Sequence, residues 1–215
     1  MGELILFQSH AAGPRTEGAS LRRARARAAV RLSDQRPGFF FDLACPFSYI
    51  AADRIERLLG DVEWVPVPGA ALRDEQPDLE ETKSRAEELA RAARLPLIWP
   101  EHFPAAVPGA MRAASYASEN GAGARFALAA GRLAFAGGFD LERTSVLEDV
   151  AGAAFLPRDE VRAAAAETWR DEELSSMAEL LLAEGMTQLP VVNIGGQWFQ
   201  GADAVSQAVA WRQSA

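Results

Sequence analysis

A run of three phenylalanines at residues 39–41 most constrains what this chain can fold into. A continuous apolar run of strand-forming residues predicts a strand that is covered on both faces of its sheet. After Cys45-Pro46 the apolar residues recur at helical spacing, at Ala51, Ile55, Leu58 and Leu59. This spacing predicts a helix over residues 46–59. Cys45 therefore lies where a buried strand passes into a helix, and Pro46 suits the first helical turn.

Strands and helices continue in a recognisable order along the rest of the chain. Residues 62–67 alternate and are rich in β-branched and aromatic side chains, which predicts a second strand and a right-handed βαβ unit. Residues 188–194 and 197–200 are predicted as two further strands, joined by a tight turn at Gly195-Gly196. A last amphipathic helix follows. The predicted order is βαβ, a helical block, then ββα.

The helical block is predicted to hold several helices that end at prolines and glycines. Their predicted ranges are 79–93, 109–119, 124–136, 145–155 and 159–185, the last of them divided near Trp169 and Arg170. Ser145 and Glu148 have the spacing of a capping box, which predicts that Ser145 starts its helix. Three prolines between residues 95 and 104 exclude a regular helix there.

The position of Cys45, the only cysteine, favours chemical reactivity. At a helix N-terminus, free backbone N–H groups and the helix dipole favour a thiolate over a thiol. Such a position can lower a cysteine pKa from about 8.5 to roughly 3.5–7.5. We expect an exposed thiol that ionises below the value of a free cysteine. The alternative is an inert core cysteine.

Composition excludes several classes of function. A hydrophobic content of 49% with 24% charged residues is typical of a soluble globular protein. A single cysteine excludes an internal disulfide framework, which fits a reducing cytoplasm. It also excludes a zinc site of the usual multi-cysteine kind, to which only His10 and His102 could contribute. These histidines are far apart in sequence and in predicted loops, so no metal site is expected. Residues 1–36 carry seven Arg against three acidic residues, and the remainder carries 15 Lys and Arg against 27 Asp and Glu. This acidic body argues against nucleic acid as a partner. No apolar run is long enough to span a bilayer.

The order of elements resembles the thioredoxin fold, and the helical interruption resembles its DsbA-like branch. Leu189-Pro190 opens the predicted third strand, where thioredoxin-fold proteins keep a cis-proline that faces the active-site cysteine. The expected fold class is therefore α/β, a DsbA-like thioredoxin fold with an inserted all-helical block. Residues 1–36 are expected to be a basic, disordered tail before one domain over 37–212. Its thioredoxin core would be 37–69 and 186–212, with 70–185 as the helical insertion.

Within that branch the chain resembles 2-hydroxychromene-2-carboxylate isomerases and kappa-class glutathione transferases. Those proteins show the pattern Phe-Asp-x-x-Ser-Pro-Tyr-Ser-Tyr-Leu-Ala, and residues 41–51 read Phe-Asp-Leu-Ala-Cys-Pro-Phe-Ser-Tyr-Ile-Ala. Further motifs follow in the same order at residues 62–67, 99–104, 110–117, 126–141 and 199–203. The resemblance covers about residues 37–212 and implies an enzyme that uses glutathione.

Several positions depart from the patterns of these enzymes, among them Gln188-Leu189, where Val or Thr is usual around the cis-proline. Cys45 stands where those enzymes have a serine whose hydroxyl activates the thiol of glutathione. Ser48 stands where disulfide oxidoreductases have a second, resolving cysteine. Gln200 replaces the usual tryptophan before the last glycine. The chain is therefore intermediate between two kinds of thiol chemistry.

The resemblance implies two catalytic residues and four glutathione-binding residues: Cys45 and Ser48, and Phe47, Leu189, Pro190 and Asp203. The backbone of Leu189 would pair with the cysteinyl part of glutathione. Asp203 would bind the γ-glutamyl ammonium, although the same residue could cap the last helix. Ser48 is expected to support the site more than to react.

Three functions remain open from sequence. The leading hypothesis is a glutathione-dependent isomerase or transferase that acts on an aromatic-derived electrophilic small molecule. The second is a monothiol disulfide oxidoreductase, in which Cys45 attacks a mixed disulfide and external glutathione resolves it. The third is a non-catalytic thiol sensor. The expected partners are glutathione and the small-molecule substrate, with a homodimer possible, and neither nucleic acid nor a membrane.

Overall fold

The computed structural model describes residues 36–72 and 78–214. The predicted tail lies outside the described residues except for Arg36, whose guanidinium pairs with Asp61 and Glu63. In the described part of the chain, the strands are β1 (Gly38–Phe41), β2 (Glu63–Pro66), β3 (Val191–Ile194) and β4 (Gln197–Gln200). They form one sheet in the order β2-β1-β3-β4. β1 and β2 are parallel, whereas β3 is antiparallel to both β1 and β4.

The helices of the described residues follow the predicted order. They are α1 (Pro46–Leu59), α2 (Leu79–Ala93), α3 (Pro108–Glu119), α4 (Gly123–Phe135), α5 (Thr144–Ala153), α6 (Arg158–Ala166), α7 (Arg170–Ala183) and α8 (Ala204–Ser214), with a short 3₁₀ turn at Gly69–Leu72. The order βαβ, helical block, ββα is thus confirmed. No helix among these residues combines the length and apolar character that crossing a membrane requires.

Two local predictions are wrong. The predicted capping box does not form, because α5 begins at Thr144 after Arg143, and Ser145 lies inside the helix. The carboxylate of Asp140 instead holds the preceding turn, accepting from the N–H of Glu142 at 2.9 Å. The third strand begins at Val191 and not at Gln188. Pro190, immediately before it, has no N–H to give to a strand ladder.

Both faces of β1 are covered, as the three phenylalanines predict. Phe39 and Phe41 belong to the larger core, where their rings meet Trp64 edge-on at centroid distances of 4.9 and 5.7 Å. Phe40 points to the other face, into a smaller core that also contains Cys45. The smaller core lies between the sheet and α7, which contributes Leu181. The alternation of side chains along one strand therefore separates the two cores.

A tyrosine in the helical block gives the fold a pH dependence. The hydroxyl of Tyr116 on α3 donates a hydrogen bond to the carboxylate of Glu160 on α6, which raises the pKa of Tyr116 from 10.0 to about 12. As pH rises, this tyrosine therefore loses its proton at a lower pH in the unfolded chain than in the folded protein. The hydrogen bond stabilises the fold fully below pH 10, and this stabilisation is lost as pH rises towards 12. We expect the free energy of unfolding to fall over this range, and to fall less in Tyr116→Phe. Urea denaturation on either side of the range tests this; equal losses in both proteins would assign the effect to other groups.

Candidate active site

Cys45 is the residue at which the chain leaves β1 and enters α1. Its backbone is extended, with φ −96° and ψ 115°, and its side chain makes no capping hydrogen bond. The carbonyl of Cys45 accepts from the N–H of Tyr49 at 3.2 Å, so it begins the helical hydrogen bonds. Pro46 occupies the first helical position, where an N–H is not needed. The predicted position of Cys45 at the N-terminus of this helix is confirmed.

The side chain of Asp42 holds the loop that carries Cys45. Its two carboxylate oxygens accept from the N–H of Ala44 at 2.7 Å and from the N–H of Gly69 at 2.6 Å. A Cβ at Gly69 would lie 3.1 Å from Asp42 Oδ2, so glycine lets the two loops approach closely. In the sequence, Asp42 stands out only as part of the Phe-Asp-x-x motif. Aspartate directly after a buried strand was the available signal, because its carboxylate commonly binds nearby backbone N–H groups.

The segment opposite Cys45 contains the cis-proline that the sequence predicts. The Leu189-Pro190 bond is cis. The Sγ atom of Cys45 lies 3.8 Å from the carbonyl oxygen of Leu189, within range of an S–H···O hydrogen bond. The N–H of Leu189 makes no hydrogen bond to any other described residue. The site thus places the thiol of Cys45 beside the backbone of Leu189, and both residues are buried.

The expectation of an exposed thiol is wrong. Cys45 is only 8% exposed and belongs to the smaller core. It is covered because Leu189 and Leu72 pack into the same core, and these residues come from two other parts of the chain. Phe47 is half-buried and contacts both cores, so it lies at their boundary.

Ser48 forms part of the loop that carries Cys45. It is 3% exposed, and its hydroxyl oxygen accepts from the backbone N–H of Asp42 at 3.3 Å. This hydrogen bond joins the first turn of α1 to the end of β1. Whether Ser48 also takes part in catalysis stays a prediction.

Asp203 already has a charged neighbour. Its Oδ2 lies 3.5 Å from a guanidinium nitrogen of Arg85 on α2, and its side chain is 55% exposed. The loop that carries Asp203 is fixed to the cis-proline segment, because the N–H of Gly201 donates to the carbonyl of Pro190 at 2.9 Å. The ammonium of glutathione would therefore have to share Asp203 with Arg85. Arg85 could not be predicted as the partner of Asp203, because no motif or spacing in the sequence connects two residues so far apart along the chain.

Gln200 is a second residue whose structural contacts were not predicted; from sequence it was only a departure from the tryptophan of the family pattern. Its Oε1 accepts from the backbone N–H groups of Thr187 and Gln188, at 2.8 and 3.1 Å. It thereby holds the two residues that precede Leu189. Among the described residues, no cluster of three or more His, Cys, Asp and Glu side chains could hold a metal ion.

We expect the thiol of Cys45 to ionise below about 8.5, the pKa of a free cysteine, because it stays at the positive end of α1. Burial and the carbonyl of Leu189 favour the thiol and oppose this effect. Because the sulfur is covered, alkylation will be slow as well as pH dependent. The rate of iodoacetamide alkylation against pH gives the apparent pKa. A value at or above that of a free thiol would contradict the prediction.

Sheet order, a cysteine at the start of α1 and a facing cis-proline define a thioredoxin fold. The chain matches the family model of the DSBA-like thioredoxin domain over residues 38–210, which is most of its length. It belongs to the DsbA-like thioredoxin domain family. No curated protein matches it in sequence.

Several solved structures are similar to this chain in fold. A 2-hydroxychromene-2-carboxylate isomerase superposes with a TM-score of 0.73 at 14% identity, covering 83% of this chain and 94% of its own. A Streptomyces coelicolor protein, provisionally assigned as a DsbA oxidoreductase, gives 0.63 at 21% identity, covering 83% and 90%. A Nitrosomonas europaea protein, provisionally assigned as a protein disulfide isomerase, gives 0.60 at 17%, covering 83% and 98%. At these identities the similarity shows the shared fold.

Proposed function

We propose that this protein is a glutathione-dependent isomerase or transferase of the 2-hydroxychromene-2-carboxylate isomerase type, acting on an aromatic-derived electrophilic small molecule. The observation that supports it best is a buried thiol next to Leu189, whose backbone N–H has no partner among the described residues. Cys45 lies at the positive end of α1, and the N–H of Leu189, which makes no hydrogen bond to another described residue, is on the adjacent segment. The positive end of α1 would stabilise the thiolate of an incoming thiol compound, and the N–H of Leu189 could donate a hydrogen bond to that compound. A reducing cytoplasm would keep both thiols unoxidised.

In this proposal the thiolate of glutathione binds at the N-terminus of α1. Cys45 then keeps its own proton, because two negative sulfur atoms side by side would repel each other. The S–H of Cys45 donates to the glutathione sulfur, in the role that a serine hydroxyl has in the resembling enzymes. The N–H of Leu189 binds the cysteinyl part of glutathione, and Asp203 binds its ammonium group.

The reaction needs no oxidant or reductant. The sulfur of glutathione adds to an electrophilic carbon of a conjugated double bond, and the electron pair of that bond moves onto the conjugated carbonyl. The former double bond can now rotate. The electron pair then returns and expels the thiolate, which leaves an isomerised substrate and regenerated glutathione. In a transferase reaction a leaving group departs in place of the thiolate.

Disulfide exchange is the second candidate, and one observation favours it. A cysteine thiolate can attack a disulfide, which a serine hydroxyl cannot, and Cys45 is the only cysteine of the chain, so a second thiol must come from outside. Its thiolate would attack a glutathione mixed disulfide, forming a protein–glutathione disulfide and releasing the other thiol. A glutathione thiolate would then attack the protein-bound disulfide, yielding glutathione disulfide and free Cys45.

Glutathione binding and turnover test these proposals. We expect glutathione and S-methylglutathione to raise the melting temperature of the wild-type protein. Glutathione should also support conversion of a hydroxychromene carboxylate or of chlorodinitrobenzene. Reduction of a glutathione mixed disulfide without either conversion would favour the second candidate. Absence of binding and of all three activities would overturn both, and leave the thiol sensor.

A further inference from the structure

Gln200, the last residue of β4, and Gly201, the residue after it, bracket the cis-proline segment. Gln200 accepts hydrogen bonds from the N–H groups of Thr187 and Gln188, on the side that precedes Leu189. Gly201 donates its N–H to the carbonyl of Pro190, on the side that follows. Residues 187–190 are therefore fixed at both ends by one short stretch of chain. The register of the sheet keeps that stretch in place, because Gln200 pairs with Val191.

The side chain of Gln200 is oriented by its neighbours. Both partners of its Oε1 are backbone N–H groups, so only an oxygen can occupy that position. Space around the adjacent glycine is limited as well. Gly201 has a φ of +80°, and a Cβ there would lie 3.2 Å from Oε1 of Gln188. The segment thus has little freedom to shift while Gln200 is present.

We propose that Gln200 is a positioning residue that sets the distance between the carbonyl of Leu189 and the sulfur of Cys45. By taking the N–H groups of Thr187 and Gln188, its amide oxygen fixes the backbone that leads into Leu189. That backbone carries the oxygen that lies 3.8 Å from Sγ of Cys45. It also carries the Leu189 N–H that remains available for the incoming thiol.

A tryptophan cannot do this. The resembling motif has tryptophan where this chain has Gln200, and an indole N–H donates but does not accept. The N–H groups of Thr187 and Gln188 would lose their shared acceptor in Gln200→Trp. In this chain the cis-proline segment is therefore held by a contact that the tryptophan of the family motif cannot make. The expected effect of Gln200 on glutathione binding rests on the proposed function. Its effect on the distance between Leu189 and Cys45 does not.

Gln200→Met and Gln200→Glu separate positioning from general stability. Methionine keeps the length of the side chain but removes the acceptor, and glutamate keeps oxygen acceptors for both N–H groups. Gln197→Met is the matched control, because Gln197 is an exposed glutamine on the same strand. Three quantities are measured on each folded protein: amide exchange at residues 187 and 188, alkylation of Cys45, and the KM for glutathione.

We expect Gln200→Met to raise both the alkylation rate of Cys45 and the KM for glutathione. Alkylation of Cys45 should become faster by roughly fivefold, since loss of two hydrogen bonds loosens the segment that covers the sulfur. The KM for glutathione should rise by a similar factor, and amide exchange at residues 187 and 188 should accelerate. Gln200→Glu and Gln197→Met should stay near wild type in all three. Loss of a residue that merely stabilised the fold would instead accelerate amide exchange throughout the protein and not mainly at residues 187 and 188.

Two results would overturn the proposal. One is Gln200→Met with unchanged alkylation of Cys45 despite faster amide exchange. The other is Gln200→Glu behaving like Gln200→Met. If the wild-type protein does not use glutathione, the proposed function fails, but alkylation and amide exchange still decide the role of Gln200. If Gln200→Met does not fold, Gln200→Asn replaces it, because the shorter amide cannot reach both N–H groups.

Discussion

Replacing Cys45 with serine should preserve the glutathione-dependent isomerase or transferase activity, whereas replacing it with alanine should lower kcat by about 100-fold. Serine restores the residue of the resembling enzymes and can donate a hydrogen bond to the sulfur of bound glutathione. Alanine offers no donor at the N-terminus of α1. Initial rates with saturating glutathione, measured for the wild type and both variants, test this. Thermal unfolding of each variant provides the control for folding.

The same two variants separate the rival chemistries. Disulfide exchange requires a thiolate nucleophile, so both Cys45→Ser and Cys45→Ala should abolish it. A Cys45→Ser protein as inactive in isomerisation as Cys45→Ala would contradict the leading proposal. If the wild type also reduces a glutathione mixed disulfide, that outcome assigns the site to the monothiol oxidoreductase mechanism.

Replacing Arg170 with methionine should lower the free energy of unfolding by about 2–3 kcal/mol. The Arg170 side chain is 6% exposed and donates to Glu167 at 2.8 Å and to Glu119 at 3.0 Å. Its guanidinium also stacks 4.4 Å from the ring centroid of Trp169. Removal would leave two carboxylates without their cation, although both are partly solvated, which limits the loss. Because Glu119 lies on α3 and Arg170 starts α7, the change also loosens the helix over the smaller core.

An exposed arginine on the neighbouring helix is the matched control for this prediction. Arg162 pairs with Glu148 at 3.2 Å, but its side chain is 59% exposed. Solvent screens such a pair, so Arg162→Ala should change the free energy of unfolding by less than about 1 kcal/mol. Urea denaturation of both variants at neutral pH gives the comparison. Equal effects would show that burial does not determine the contribution of Arg170.

Local patterns in the sequence were sufficient for the elements and their order. Residues 39–41 form a strand with both faces covered, and the helix from Pro46 to Leu59 has the predicted bounds. The Gly195-Gly196 turn also occurs where predicted, with both residues at positive φ. These features depend on apolar periodicity, proline geometry and turn chemistry, all of which act within a few residues. The cis-proline before β3 came from the family resemblance.

Only the tertiary structure decided what surrounds the thiol. The contact of Cys45 with Leu189 joins residues 144 positions apart, and the bond from Gly69 to Asp42 joins residues 27 positions apart. The burial of Cys45, the pairing of Asp203 with Arg85 and the hydrogen bonds that Gln200 accepts depend on the same kind of long-range packing. The electrostatic effect of a helix N-terminus on a cysteine can be predicted from local sequence, because it depends only on where the helix begins. Whether that cysteine meets solvent depends on which distant segments pack over it, and no local pattern encodes their positions.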